Sequence, residues 1–169
     1  MNVDFFPAQC QTSSKLKIFG ICDDPSPATN PAYIDEKNGA KWIAVVENDY
    51  LSEVIFTAVD HCIPFPPRPD GKESKRCDGF LTYGDTIAFI ELKERDQDGS
   101  EWVKDAEKQL LTAIELFEKT DDAEEYPIKK AYIANSERPR FRESQTRRME
   151  NFLDTTGYVL RIEARIKIA

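Results

Sequence analysis

The chain has 169 residues, of which 40% are hydrophobic and 32% charged, and its formal net charge is −8. This composition is typical of a single globular domain over residues 1–169, with enough apolar residues for a sizeable core. No apolar run approaches the ~18 residues of a membrane helix, and the start of the sequence lacks a signal-peptide pattern, so we expect a cytoplasmic protein without membrane partners. The acidic balance argues against tight nucleic-acid binding, which depends on phosphate contacts.

The cysteines and the sole histidine exclude several site chemistries. Cys10, Cys22, Cys62 and Cys77 form no C-x-x-C pair, which argues against a zinc or dithiol redox site, and we expect them to be reduced. His61 alone cannot build a histidine-rich metal site. Phosphate-binding G-x-x-x-x-G-K-[ST], dinucleotide-binding G-x-G-x-x-G and zinc-protease H-E-x-x-H motifs are absent.

The N-terminal third predicts small strands that precede the main core. Residues 1–14 carry no clear periodicity, residues 15–22 (KLKIFGIC) predict a strand, and residues 23–30 predict a turn-rich loop. Residues 32–35 and 41–46 flank an Asn-Gly turn and predict a hairpin.

Residues 50–63 predict the first core helix. Asp49 is a candidate N-cap and Pro64 follows the end. Glu53 lies on the flank of the apolar stripe, where it could reach a site or remain a surface residue. The stripe has helical spacing and consists of Leu51, Val54, Ile55, Ala58, Val59 and Cys62.

A connector rich in proline and then in basic residues spans 64–76 and leads to a predicted β-hairpin over 80–93. Gly84-Asp85 marks the turn between two β-prone runs. Asp78 precedes the first strand, and Glu91 and Lys93 end the second on the same face. The hairpin can therefore bring the two carboxylates side by side, next to a lysine. Asp70 is the alternative acid, but its Pro-Asp-Gly context favours a turn.

Three further elements follow the hairpin. Residues 100–119 predict a long helix, capped by Asp98 or Ser100, with Gln109 at the edge of its core stripe. Residues 128–134 predict a core strand. Residues 158–168 alternate between apolar and charged side chains and predict a half-exposed edge strand.

A segment rich in arginine lies between those two strands, and Ser144 could cap a short helix that ends near Gly157. Two readings remain open for this segment: it docks a phosphate backbone, or it is a solvated surface paired with neighbouring glutamates. Its arginines are Arg138, Arg140, Arg142, Arg147 and Arg148.

The acid before the hairpin, followed by Glu91-Leu92-Lys93 at its end, resembles the PD-(D/E)XK nuclease superfamily, with Cys77 in place of the motif's proline. The resemblance implies an α/β (α+β) restriction-endonuclease-like fold: a mixed central β-sheet flanked by helices, with an αβββαβ core and extra N-terminal strands. It also implies Asp78 and Glu91 as ligands of Mg²⁺ or Mn²⁺, Lys93 as the catalytic lysine, and Glu53 and Gln109 as auxiliary catalytic residues.

The expected function is therefore metal-dependent cleavage of nucleic acid, DNA rather than RNA, by a homodimer or within a larger nucleic-acid-processing complex. Two alternatives remain open: a catalytically silent binding or assembly module of the same fold, and an unrelated acidic inhibitor or immunity-type protein. Metal binding separates the first reading from the unrelated protein, and turnover separates it from the silent module.

Overall fold

The structure is a computed structural model that describes residues 3–25, 27–93, 101–135 and 145–168. Within these ranges it contains two α-helices, Glu101–Glu118 (α1) and Thr146–Thr156 (α2). The strands are Gln11–Ser14 (β1), Ile18–Cys22 (β2), Tyr33–Asp35 (β3), Ala44–Glu47 (β4), Val54–Ala58 (β5), Gly79–Tyr83 (β6), Thr86–Lys93 (β7), Ile128–Asn135 (β8), Val159–Ile162 (β9) and Arg165–Lys167 (β10).

The larger sheet has six strands in the order β1-β5-β6-β7-β8-β9. Its first four strands pair antiparallel, whereas β7, β8 and β9 pair parallel. The parallel step from β7 to β8 needs a crossover connection, and α1 lies within it. The predicted mixed central sheet is therefore confirmed.

The two faces of this sheet are covered by different layers. One face packs against α1 and α2 through a core that includes Phe80, Phe89, Phe117 and Phe152. The other face is covered by a four-stranded sheet in the order β10-β4-β2-β3, with Phe56 and Leu81 buried between the two sheets. Helices thus flank only one face among the described residues, and a second sheet occupies the position predicted for further helices.

The helix predicted over residues 50–63 is wrong. The segment forms β5, which is paired on both sides, followed by turns. Val54, Phe56 and Ala58 point into one core and Val59 enters the other. A strand that is buried on both faces has a continuous run of apolar residues, and such a run can resemble the spacing of a helix. The β-branched and aromatic residues of Val54–Ala58 favour the strand. The helix that opens the predicted αβββαβ core is therefore absent from the described residues.

Most of the other predicted elements are confirmed. The hairpin is β6–β7, the long helix is α1, the core strand is β8, and α2 ends at Gly157, whose φ of 80° is the left-handed conformation that favours glycine. The predicted 158–168 strand keeps its alternation but divides into β9 and β10, one in each sheet. Residues 1–14, predicted to be irregular, contain β1. The hairpin predicted from residues 32–35 and 41–46 is wrong, because β3 and β4 do not pair with each other and each pairs antiparallel with β2.

The expectation of four reduced cysteines is contradicted by a disulfide between Cys10 and Cys62. Cys22 and Cys77 are buried and lie outside this bridge. The disulfide ties the segment before β1 to the turn after β5, 52 residues along the chain. Neither α1 nor α2 has the length and hydropathy required to cross a membrane.

Candidate active site

The sheet pairing brings the predicted site residues to one edge of the six-stranded sheet. Gly79, at the start of β6, is paired with Ile90 near the end of β7, so Asp78 and Glu91 become neighbours. Parallel pairing places Asn135, at the end of β8, beside Lys93. Glycine is required at position 79 because β5 and β6 approach closely there, and a Cβ would lie 2.4 Å from the Thr57 carbonyl oxygen of β5.

Asp78 and Glu91 are both buried and hold each other in place through backbone groups. The Asp78 backbone N–H donates to Glu91 Oε1 at 3.1 Å, and the Leu92 N–H donates to Asp78 Oδ2 at 2.7 Å. Only 7% of Asp78 and 3% of Glu91 is exposed. This reciprocal arrangement confirms that the hairpin sets the two carboxylates side by side.

Lys93 is positioned by two partners. Its Nζ lies 3.0 Å from Glu91 Oε2 and 3.3 Å from Gln109 Oε1 on α1. Gln109 donates through Nε2 to the Arg76 carbonyl oxygen at 3.2 Å, which fixes the amide. The structure thus places Gln109 next to Lys93, as predicted.

Asp23, in the loop after β2, is a site carboxylate that the sequence prediction missed. It lies close enough to Asp78 for the two carboxyl groups to interact. Burial and then the charge of Asp78 raise the Asp23 pKa to about 7. No local signal identifies this residue, because D-D-P-S-P reads as an ordinary turn and only the packing of the two sheets brings it to Asp78.

Asp60, in the turn after β5, and its partner Arg76 form an outer group of charges next to Asp23. The Val59 and Asp60 backbone N–H groups donate to the carbonyl oxygens of Asp78 and Cys77 at 2.9 and 3.1 Å, so the turn after β5 lies against the site. Arg76 Nε lies 3.5 Å from the Asp60 carboxylate. This turn also carries Cys62 of the disulfide, which therefore anchors one wall of the site.

The electrostatic state of the inner site follows from burial. Burial, followed by the nearby Glu91 carboxylate, raises the pKa of Asp78 well above its usual range. The pKa of Glu91 is also raised by burial, although Asp78 and Lys93 oppose that rise. A proton or another cation is therefore needed to hold Asp23, Asp78 and Glu91 together.

Cys77 immediately precedes Asp78 and is fully buried. Burial first, and then Glu91 and Asp78, raise its thiol pKa well above the usual range. Its Sγ donates weakly to the Gly79 carbonyl oxygen at 3.7 Å. Since the thiolate is the nucleophile, Cys77 is a structural residue and not a nucleophilic one.

Glu53 does not belong to the site, which corrects the sequence prediction. It precedes the start of β5, whereas Asp78 and Gly79 lie beside the end of that strand. Its carboxylate lies 4.0 Å from Lys15 Nζ, and both side chains are largely exposed. The residue was placed near the site only by the helix that β5 replaces.

The arginine segment is described in part. Arg138, Arg140 and Arg142 lie outside the described residues. Arg147 is exposed on α2, and Arg148 forms an ion pair with Glu107 of α1 and donates to Gln145 at 3.0 Å. Of the two described arginines, Arg147 alone therefore presents an unengaged cation.

The carboxylate oxygens of Asp78 and Glu91 are chemically suited to a hard divalent cation, although their arrangement in the structure is not that of metal ligands. No group of three or more histidine, cysteine or acidic side chains in the described ranges is spaced as the ligands of a metal ion. Instead, Glu91 faces Lys93, and Asp78 faces a backbone N–H. The carboxylates of Asp78 and Glu91 are the ligand type that Mg²⁺ and Mn²⁺ prefer, and a cation would relieve the charge crowding that raises the Asp78 and Asp23 pKa values.

Comparisons of the chain with models of protein families, with curated proteins and with solved structures gave no match. The resemblance to the PD-(D/E)XK superfamily therefore stays a prediction that depends on the motif and on the geometry of the hairpin.

Proposed function

We propose that this protein is a metal-dependent nuclease that cleaves phosphodiester bonds in nucleic acid, DNA rather than RNA, at Asp78, Glu91 and Lys93. The observation that carries the proposal is the burial of two adjacent carboxylates with a lysine Nζ 3.0 Å from one of them. A restriction-endonuclease-like core that lacks the first helix is part of the same proposal. The motif residues then serve catalysis and not the stability of the sheet, since a buried like-charge pair is costly.

Asp78 and Glu91 would hold Mg²⁺ or Mn²⁺, and Asp23 is positioned to support them. The bound ion would polarise the phosphoryl oxygen and lower the pKa of a water. In its absence the raised pKa values of Asp23 and Asp78 favour a proton on this group of carboxylates, which balances the charge. Binding of the ion would therefore displace this proton, and the two carboxylates keep their positions because backbone N–H groups hold them.

Lys93 would act on the phosphate. Its ammonium group lies at the mouth of the carboxylate pair, where it can orient the attacking water or stabilise the charge that develops on the phosphate. Gln109 holds the ammonium group as well, through the contact at 3.3 Å. Preorganisation of this kind favours the transition state because the lysine need not be reoriented during the reaction.

A catalytically silent module is the second candidate, and one observation favours it. Both carboxylates are engaged by protein groups, Glu91 by Lys93 and Asp78 by the Leu92 N–H. A site that satisfies itself in this way can persist for structural reasons, as a buried ion pair. Turnover is what separates the two candidates.

The cytoplasmic location and a homodimer or larger nucleic-acid-processing complex remain parts of the proposal. Disulfides persist mainly in oxidising compartments, so the Cys10–Cys62 bridge argues against the cytoplasmic part of the proposal. Alkylation of protein freshly extracted from its own cells, without reductant, tests the location: modification of Cys10 and Cys62 supports a reducing compartment, and protection of both contradicts it.

The proposed function predicts cleavage that requires a divalent ion. Purified protein should cut labelled DNA in Mg²⁺ or Mn²⁺ and lose this activity in EDTA, because the ion held by the carboxylates would activate the water and polarise the phosphoryl oxygen. Single-stranded, duplex and branched DNA and RNA should be compared by gel electrophoresis, with heat-denatured protein as the control. Cleavage that persists in EDTA contradicts the mechanism. Metal binding without cleavage of any substrate favours the silent module, and absence of both favours an unrelated protein.

A further inference from the structure

A groove of about 690 Å³ runs between α1 and the proline-rich connector that precedes the site. Pro66, Pro67 and Pro69 form one wall, and Leu111 and Leu116 of α1 contribute apolar surface to the other. The residues that α1 contributes follow the i, i+3, i+4 spacing of one helix face from Lys108 to Leu116, and Lys119 follows just after the helix. The groove is thus an elongated feature along the helix.

The groove is basic, although the chain is acidic overall. Four cations line it, and Glu115 is the acid among its lining residues. Arg68 is paired with Asp70 at 3.0 Å. The side chains of Lys75, Lys108 and Lys119 are exposed, and the described residues provide no carboxylate paired with any of them. Unpaired lysines concentrated along one channel create a local positive potential in a chain whose net charge is −8.

The groove begins beside the candidate active site. Lys108 precedes Gln109, which contacts Lys93, and Lys75 precedes Arg76, whose carbonyl oxygen accepts from Gln109. At the other end of α1, Glu118 pairs with Lys129 near the start of β8. The start of β8 lies at the opposite end of the strands from the site. From Lys108 to Leu116 the helix rises by roughly 12 Å. A polyanion in the groove would therefore have one end near Gln109 and Lys93.

We propose that this groove binds the phosphate backbone of a single-stranded segment of nucleic acid and directs it to the site. The proposal rests on the proposed function for its substrate. Charge complementarity selects a polyanion, and the apolar walls select a strand whose unpaired bases can pack on proline and leucine, which the closed base pairs of a duplex cannot do. Sequence preference is not expected, because the groove offers cations and apolar surface and few groups that read base edges.

The test is the anisotropy of a labelled oligothymidylate of about 12 nucleotides in EDTA, where cleavage does not interfere. Replacement of Lys75 and Lys119 by glutamate should weaken binding roughly tenfold at low salt. It should also lower the salt slope by about 1.4, because two phosphate contacts are lost from a single strand. The matched control replaces Lys17 and Lys37, which are exposed and outside the groove, and makes the same change in net charge. The control should stay within twofold of wild type.

Several results would overturn the groove proposal. Equal weakening by both lysine pairs would show that net charge, and not the groove, controls binding. Displacement of the oligonucleotide by a polyglutamate peptide of equal charge with higher affinity would assign the groove to an acidic protein. A shift from dimer to monomer in the Lys75→Glu/Lys119→Glu variant, read by sedimentation, would make it an interface. Failure of cleavage with normal groove binding would instead overturn the proposed function alone.

Discussion

Replacement of Lys93 by alanine is expected to lower DNA cleavage by about 100- to 1000-fold, the usual effect of removing one group that stabilises transition-state charge. The affinity for Mn²⁺ should stay the same or rise, because Lys93 Nζ occupies Glu91 Oε2 at 3.0 Å and its removal frees that oxygen. Cleavage rate at saturating Mn²⁺ and Mn²⁺ affinity by calorimetry should be measured on the same preparation.

Two further sets of variants are needed to interpret the result for Lys93→Ala. Asp78→Asn and Glu91→Gln keep the shape of each side chain and should lose Mn²⁺ binding and cleavage together. Lys104→Ala removes an exposed lysine of α1 and should change neither. Full activity of Lys93→Ala would remove the lysine from the mechanism. Parallel loss of Mn²⁺ binding in Lys93→Ala would show that the residue holds the site together instead of acting on phosphate.

Loss of the disulfide is expected to lower the free energy of unfolding by about 4 kcal/mol, because the bridge closes a loop with a sequence separation of 52 residues. The Cys10→Ala and Cys62→Ala single variants should be destabilised by the same amount as the double variant, since each breaks the same bond. Urea unfolding of the three variants and of wild type with and without reductant measures the effect.

Cys22→Ala is the control for this series. It removes a buried thiol that lies outside the bridge and should lower the free energy of unfolding by roughly 1 kcal/mol. Unfolding midpoints that do not respond to reductant, together with peptide mapping that finds no cross-link between Cys10 and Cys62, would contradict the disulfide.

The central part of the site could be predicted because its causes are local in sequence. Gly84-Asp85 sets the hairpin turn, and the turn sets the register that places Asp78 beside Glu91. Alternation along β7 then places Lys93 on the Glu91 face. The position of Gln109 could be predicted for the same reason, since helical spacing places it at the edge of the core stripe of α1.

The remainder depends on packing that no local pattern records. The apolar residues of 50–63 have helical spacing, but β5 is buried on both faces, with Val54 and Phe56 in the core between the sheets and Thr57 buried on the other face, so burial overrides the period. That error also misplaced Glu53. Asp23 reaches Asp78 only because the second sheet packs on the first, and the pairing of Cys10 with Cys62 requires the antiparallel contact of β1 with β5.

The most direct measurement of the central claim is the anomalous difference density of crystals soaked in Mn²⁺, with Mg²⁺-soaked crystals as the reference. We expect a peak between the carboxylates of Asp78 and Glu91, within about 2.2 Å of an oxygen from each, and the loss of this peak in Asp78→Asn crystals. A structure in which Lys93 keeps its contact with Glu91 and no manganese peak lies at the pair, at concentrations that saturate any Mn²⁺-dependent activity, would contradict the metal site.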